Sequence, residues 1–168
     1  MRHITSRQNK VSLIQLRRTP VHGGIGRHDC ISFANHVRQL PNFHIWLSGF
    51  SQGAALASLA LAQCQNQQLE HKIQFAILAG AFLPKDPEYA HMMTQAAISI
   101  PTLFISGRKD QLIPLQRTEE LIATFDPDSI QRYMHDGGHM VPTCSGDFKR
   151  RRVSKPDKLW LQASEAQY

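Results

Sequence analysis

Cysteine and long apolar runs are both scarce in this chain. Its three cysteines, Cys30, Cys64 and Cys144, are odd in number and widely spaced, with no CxxC pair among 168 residues. This pattern argues against a disulfide framework or a zinc site and is typical of a reducing compartment.

The longest apolar windows, "AALASLALA" and "FAILAGAFL", are far shorter than the roughly 20 residues of a membrane span. The N-terminal "VSLIQL" is too short and polar for a secretory core. We therefore expect a soluble, cytoplasmic protein without a membrane span.

Positive charge is in excess, but only at the two flanks. The formal net charge is +6. Residues 41–146 carry six basic and nine acidic side chains, so the central region is mildly acidic. The run "KRRR" at 149–152 is typical of a solvated tail and is also compatible with nuclear targeting. Nucleic acid is therefore not an expected partner, although a basic nucleic-acid binder stays open as a third hypothesis.

Apolar runs alternate with helical patterns from residue 29 onwards. Four buried strands are predicted at 44–50, 73–82, 102–107 and 130–135. Helices are predicted between and before them, at 29–40, 51–68, 88–97 and 115–125. "VSLIQL" is compatible with a strand or a disordered arm. Strands that are apolar throughout and alternate with helices indicate an α/β fold with a parallel sheet, whose ligand site lies at the carboxyl ends of the strands.

The length is that of one domain, so we expect a single α/β domain over residues 1–168. Residues 1–28 and 147–168 are expected to be irregular flanks, because they are polar, basic and interrupted by proline or glycine.

The stretch "GFSQGAALA" places Ser51 where the first predicted strand becomes a helix. In a nucleophile elbow, a tight strand-to-helix turn exposes a serine that has small residues two positions before and two positions after it, here Gly49 and Gly53. The N–H of the next residue, Gln52, then faces the position of an oxyanion. Phe50, on the other side, is expected to border the substrate. The alternative is that Ser51 only caps the helix.

A serine nucleophile needs a histidine base and an acid that orients it. "TLFISG" is followed by "RKDQLIP", which places Asp110 after one strand, and "IQRYMH" is followed by "DGGHMVP", which places His139 after the next. The order Ser, Asp, His is that of α/β-hydrolases. Other acidic residues, such as Asp136 and Asp126, are expected to belong to turns. The pair of glycines after His22 is interpreted as a loop.

The segments "GFSQGAALA", "IPTLFISGRKDQLIP" and "HDGGHMVP" together resemble the FSH group of serine hydrolases, which includes the yeast family of serine hydrolases and the human ovarian-cancer-associated hydrolase. The resemblance runs from about Phe43 to Pro142. It implies an esterase or thioesterase with Ser51 as nucleophile, His139 as general base and acid, and Asp110 as orienting carboxylate. The expected substrate is a small-molecule or carrier-bound acyl ester or thioester. No cofactor and no metal are expected.

The chain departs from that family near both ends. Members usually begin with a strand and an "LHG" loop that supplies a second oxyanion donor, whereas only 50 residues precede Ser51 here. The early strands and this donor are therefore expected to be missing or replaced. The alternative hypothesis is a truncated, catalytically weak or inactive hydrolase-like protein that acts as a binding or interaction module.

Overall fold

A five-stranded, wholly parallel sheet lies at the centre of this computed structural model, which describes residues 11–15, 27–39 and 44–142. Its strands pair in chain order, each with the next. They are β1 (Val11–Gln15), β2 (His44–Phe50), β3 (Ile73–Ala79), β4 (Thr102–Gly107) and β5 (Ile130–His135). Since all strands run the same way, their carboxyl ends meet at one edge of the sheet.

Four α-helices connect the strands. They are α1 (Arg27–Gln39), α2 (Gln52–Asn66), α3 (Pro87–Ala96) and α4 (Leu115–Ile122), with short 3₁₀ turns at Glu70–Lys72 and Pro127–Ser129. Helix α2 packs against β2 and β3 and also against α1 and α3. In the described part of the chain, no helix is long and apolar enough to cross a bilayer.

The core forms between the sheet and α2. Alanines 54, 55, 57, 60 and 62 of this helix are buried, and their small side chains let the helix lie close to the strands. Ile45 and Leu47 of β2, against which α2 packs, are fully buried, and Phe104 of β4 is almost fully buried in the same core. Burial of each such large side chain contributes about 1.5–3 kcal/mol to folding. This packing fixes the position at which β2 turns into α2.

The predicted α/β class and parallel sheet are confirmed. The strands predicted at 44–50, 102–107 and 130–135 have the observed bounds. The strand predicted at 73–82 was too long, because Gly80 has a φ of 55° and turns the chain out of the sheet. The helix predicted at 115–125 was also too long, since Phe125 forms an isolated parallel bridge with Ile98.

The region before residue 29 differs from our expectation of an irregular flank. Val11–Gln15 form an edge strand that pairs with β2, and α1 begins at Arg27. The "VSLIQL" segment therefore supplies a strand. Residues 1–10, 16–26, 40–43 and 143–168 lie outside the described residues, and with them the loop at His22 and the C-terminal flank.

Candidate active site

Ser51 lies in a strained turn between β2 and α2. Its φ and ψ are 55° and −122°, a left-handed conformation that costs a non-glycine residue about 1–3 kcal/mol. Its N–H donates to the carbonyl of Ala79 on β3 at 2.9 Å, and its own carbonyl accepts the N–H groups of Ala54 and Ala55. The sheet on one side and the helix on the other therefore hold the serine in this conformation.

Gly49 allows the helix to start this close to the strand. A Cβ at this position would lie 2.5 Å from the carbonyl oxygen of Gly53 and 2.6 Å from Cα of Ala54. Real Cβ atoms essentially never approach backbone so closely. The glycine two residues before Ser51 is thus a steric requirement of the turn.

Asp110 lies in the loop after β4, with its side chain 3% exposed. One carboxylate oxygen, Oδ1, accepts the N–H groups of Leu112 and Ile113 at 3.0 and 2.8 Å. Burial is the largest single influence on its pKa and raises it. The hydrogen bond from Ile113, the hydrogen bond and charge of His139, and the hydrogen bond from Leu112 together outweigh burial, so the pKa of Asp110 is lower than its ordinary value. The carboxylate is the stable form at neutral pH.

His139 lies in the loop after β5 and touches both other residues. Its Nδ1 is 2.8 Å from Oδ2 of Asp110, and its Nε2 is 2.9 Å from Oγ of Ser51. An ionised carboxylate can only accept, so Nδ1 carries the hydrogen and donates it. In the neutral ring Nε2 is then the acceptor for the Ser51 hydroxyl. This arrangement can remove a proton from the serine.

The loops that carry Asp110 and His139 are joined through their backbones. The N–H groups of Arg108 and Lys109 donate to the carbonyls of His135 and Gly137, at 2.8 and 3.1 Å. A Cβ at Gly107 would collide with the carbonyl oxygens of Gly137 and Gly138. These backbone hydrogen bonds, together with the missing side chain at Gly107, hold the two loops close to each other.

Two residues flank Ser51 in the elbow. Gln52 is the first residue of α2, with its side chain exposed. The Phe50 ring packs on the His139 imidazole, with ring centroids 4.7 Å apart. Behind these rings, Gly80 is left-handed, and a Cβ there would lie 3.0 Å from Cε1 of His139.

The structure brings together all the residues predicted for the site. Ser51, Asp110 and His139 form one chain of hydrogen bonds, and Phe50 and Gln52 border it. Asp136 instead pairs with Arg108 on the surface, and Asp126 accepts the N–H of Asp128. Sequence reasoning missed Gly80 and Gly107. The signal available for both was a glycine directly at the end of an apolar strand.

A parallel sheet with a strained serine after β2, and with an aspartate and a histidine in the loops after β4 and β5, defines an α/β-hydrolase-type protein. Residues 33–149 match the sequence profile of the family described as serine hydrolase (FSH1). This match covers more than half of the chain. The chain belongs to this serine hydrolase family, as the resemblance had predicted.

Curated relatives carry esterase names. The chain is 38% identical over 99 residues to Esterase OVCA2 of Danio rerio, a match that covers 58% of this chain and 42% of that protein. It is also 38% identical over 97 residues to Esterase CG5412 of Drosophila melanogaster, covering 57% of this chain and 33% of that one. The matched part of the chain thus spans less than half the length of these relatives.

Solved structures resemble the fold at lower identity. A type II thioesterase from the yersiniabactin NRPS/PKS biosynthetic pathway, YbtT, superposes with a TM-score of 0.51 at 15% identity. This likeness covers 69% of the present chain and 66% of YbtT. At this identity it supports the α/β-hydrolase fold alone.

Proposed function

We propose that this protein hydrolyses acyl esters or thioesters with Ser51 as nucleophile, His139 as general base and acid, and Asp110 as orienting carboxylate. The observation that carries the proposal is the unbroken hydrogen-bonded chain from Ser51 Oγ through both nitrogens of His139 to Asp110. Each link is within 2.9 Å, inside the reach of a catalytic base.

In the first half-reaction, Ser51 Oγ attacks the acyl carbonyl while its proton passes to Nε2 of His139. The imidazolium that forms is stabilised by the Asp110 carboxylate at Nδ1. His139 then returns the proton to the leaving alcohol or thiol as the carbonyl–heteroatom bond breaks. The acyl group is left as an ester of Ser51.

In the second half-reaction, water attacks this ester. His139 takes a proton from the water at Nε2 and gives it back to Ser51 Oγ as the acid leaves. Free serine and the neutral imidazole are restored, so the cycle needs no redox partner.

The oxyanion donor proposed for both steps is the backbone N–H of Gln52. It lies at the first residue of α2, where the helix dipole favours negative charge. Removal of one such donor typically costs about 100- to 1,000-fold in rate. The position next to the nucleophile supports this assignment, because the turn at Ser51 fixes the orientation of the following peptide.

Apolar side chains surround the site and support an acyl group as the bound part of the substrate. In the described part of the chain, the exposed large hydrophobic residues are Phe50, Leu112, Met140 and Val141. Each is one or two residues from Ser51, Asp110 or His139. Exposed apolar groups concentrated at a single edge are typical of a binding surface.

The alternative, a hydrolase-like binding module without useful catalysis, predicts no activated serine. Labelling with a fluorophosphonate probe separates the two functions, because the probe reacts with a serine that has a working base and oxyanion site. We expect the wild type to label and Ser51→Ala not to label. Ser48→Ala, three residues earlier on β2, is the matched control and should label like the wild type.

A folded wild type that does not label would support the binding module. Labelling of Ser51→Ala would show that another residue is the nucleophile. Circular dichroism of each variant checks that the protein is folded. Turnover of matched ester and thioester substrates with the same acyl group then distinguishes the two substrate classes.

A further inference from the structure

Besides bordering the proposed acyl-binding surface, the Phe50 ring contacts the His139 imidazole directly. It lies 4.7 Å from the His139 ring, centroid to centroid, with 34° between the planes. Phe50 is 38% exposed, so it is not a core residue. An exposed aromatic ring that covers the proposed base is positioned to act on that base.

The hydrogen bond to Ser51 has to rearrange during the reaction, which leaves the bond to Asp110 as the lasting polar restraint on the His139 ring. The bond from Nδ1 to Asp110 leaves the ring free to tilt about the Nδ1–Oδ2 line, and this tilt moves Nε2 relative to Ser51. The Phe50 ring covers one part of the imidazole. Gly80 leaves room for the ring on another side, because a Cβ there would lie 3.0 and 3.3 Å from Cε1 and Nδ1 of His139. The Phe50 ring is therefore the side chain that limits the tilt left open by Asp110.

The same contact also bears on the charge that His139 gains during the reaction. During serine attack the imidazole gains a proton and becomes a cation, and an aromatic face attracts a cation. This attraction is stronger in the transition state than in the ground state, in which the ring is neutral. An interaction that strengthens in the transition state raises kcat and leaves KM unchanged.

We propose that Phe50 is a positioning residue for His139, which holds the imidazole in its productive tilt and stabilises it when protonated. This inference rests on the proposed function of Ser51 and His139. It predicts that the aromatic ring of Phe50, and not only its apolar volume, is required.

The kinetic test compares Phe50→Leu with Phe50→Tyr. Phe50→Leu keeps the apolar volume but removes the ring, and kcat should fall about 3- to 30-fold with KM little changed. Phe50→Tyr keeps the ring and should restore kcat. Phe82→Leu is the matched control, because the Phe82 ring contacts Arg117; its kcat should equal that of the wild type. An unchanged kcat in Phe50→Leu, or an effect on KM alone, would overturn the inference.

A spectroscopic test does not depend on turnover. With histidine labelled at ¹³Cε1, the Hε1 resonance of His139 is assigned by its loss in His139→Gln. Ring current from Phe50 should shift this resonance in the wild type, and the shift should disappear in Phe50→Leu but persist in Phe82→Leu. An identical chemical shift of this resonance in wild type and Phe50→Leu would show that the Phe50 ring does not pack on His139 and would overturn the inference. If Ser51→Ala retained turnover, the proposed function would fail, while the resonance would still decide the contact between Phe50 and His139.

Discussion

Turns at the two edges of the sheet use residues with a positive φ for different purposes. At the carboxyl edge, Ser51 has a φ of 55°, and its hydroxyl lies 2.9 Å from His139. At the opposite edge, Gln68 and Ala97 have φ values of 57° and 43°, and both side chains are exposed. A left-handed backbone costs a non-glycine residue such as Gln68 or Ala97 about 1–2 kcal/mol.

The turns at the opposite edge are helix ends. The N–H of Leu69 bonds to the carbonyl of Cys64, and that of Gln68 to Gln65, which is the Schellman pattern that glycine usually completes. Ala97 is the left-handed C-cap of α3. Only the backbone conformation matters at these positions, whereas Ser51 also carries a hydroxyl that hydrogen-bonds to His139. Substitution to glycine should therefore relieve strain at both edges but lower activity only at Ser51.

The largest effect is expected for Ser51→Gly. Loss of the hydroxyl should lower hydrolysis by about 10⁴-fold or more, as expected for a missing nucleophile. Ser51→Ala lacks the same hydroxyl but keeps the strain, so Ser51→Gly should be the more stable of the two by about 1 kcal/mol. Esterase assays and urea unfolding of both variants measure the two quantities. Equal stability of the two variants would show that the turn at residue 51 is not strained.

Asp110→Asn should give the next largest effect, about a 10³- to 10⁴-fold fall in kcat, because an amide no longer fixes the tautomer of His139. Asp126→Asn is the matched control at the opposite edge. Its side chain also accepts a backbone N–H two residues later, but it lies in a turn before β5, away from the site. We expect its kcat to equal that of the wild type. A similar loss of kcat in both variants would mean that the effect is general to such turns.

Ala97→Gly and Gln68→Gly should each stabilise the fold by up to about 1 kcal/mol, since glycine adopts the left-handed conformation without steric cost. Activity should not change. The readouts are the urea midpoint and the turnover rate under the same conditions. Destabilisation by either change would mean that the flexibility of glycine in the unfolded chain outweighs the strain at that helix end.

The smallest effect is expected on the stability of the fold at acidic pH. The folded-state pKa of Asp110 is lower than its ordinary value, about 3.9 in unfolded chains. The carboxylate therefore stabilises the fold above about pH 4, and this contribution is lost as the pH falls through the lowered pKa. Wild type should lose stability over this range more steeply than Asp110→Asn, measured as the free energy of unfolding at each pH. Parallel pH curves for the two proteins would contradict the lowered pKa.

The sequence predicted the order and type of the elements from residue 29 well, because buried parallel strands are apolar over their whole length. It predicted the end of β3 wrongly, since "AGAF" continues the apolar run and only the backbone at Gly80 ends the strand. The pairing of Val11–Gln15 with β2 could not be predicted from a short segment between basic residues. It depends on contacts with a strand more than 30 residues away.

Ser51, Asp110 and His139 could be selected by their order and by the strands that precede them. The choice of Asp110 over Asp136 depended on this placement, and Asp136 is paired with Arg108 on the surface. The packing of Phe50 and Gly80 on His139 could not be predicted. It follows from the distance between β2, β3 and the loop after β5, which no local pattern contains.

The hydrogen bond between Ser51 and His139 joins residues 88 positions apart in the chain. A contact of this separation closes a long loop of chain and cannot form until the strands between its partners have aligned. The pair is therefore among the late events of folding, when helices and neighbouring strands have already formed. The return of an activated serine during refolding would report completion of the β2–β5 sheet more strictly than the recovery of helical signal does.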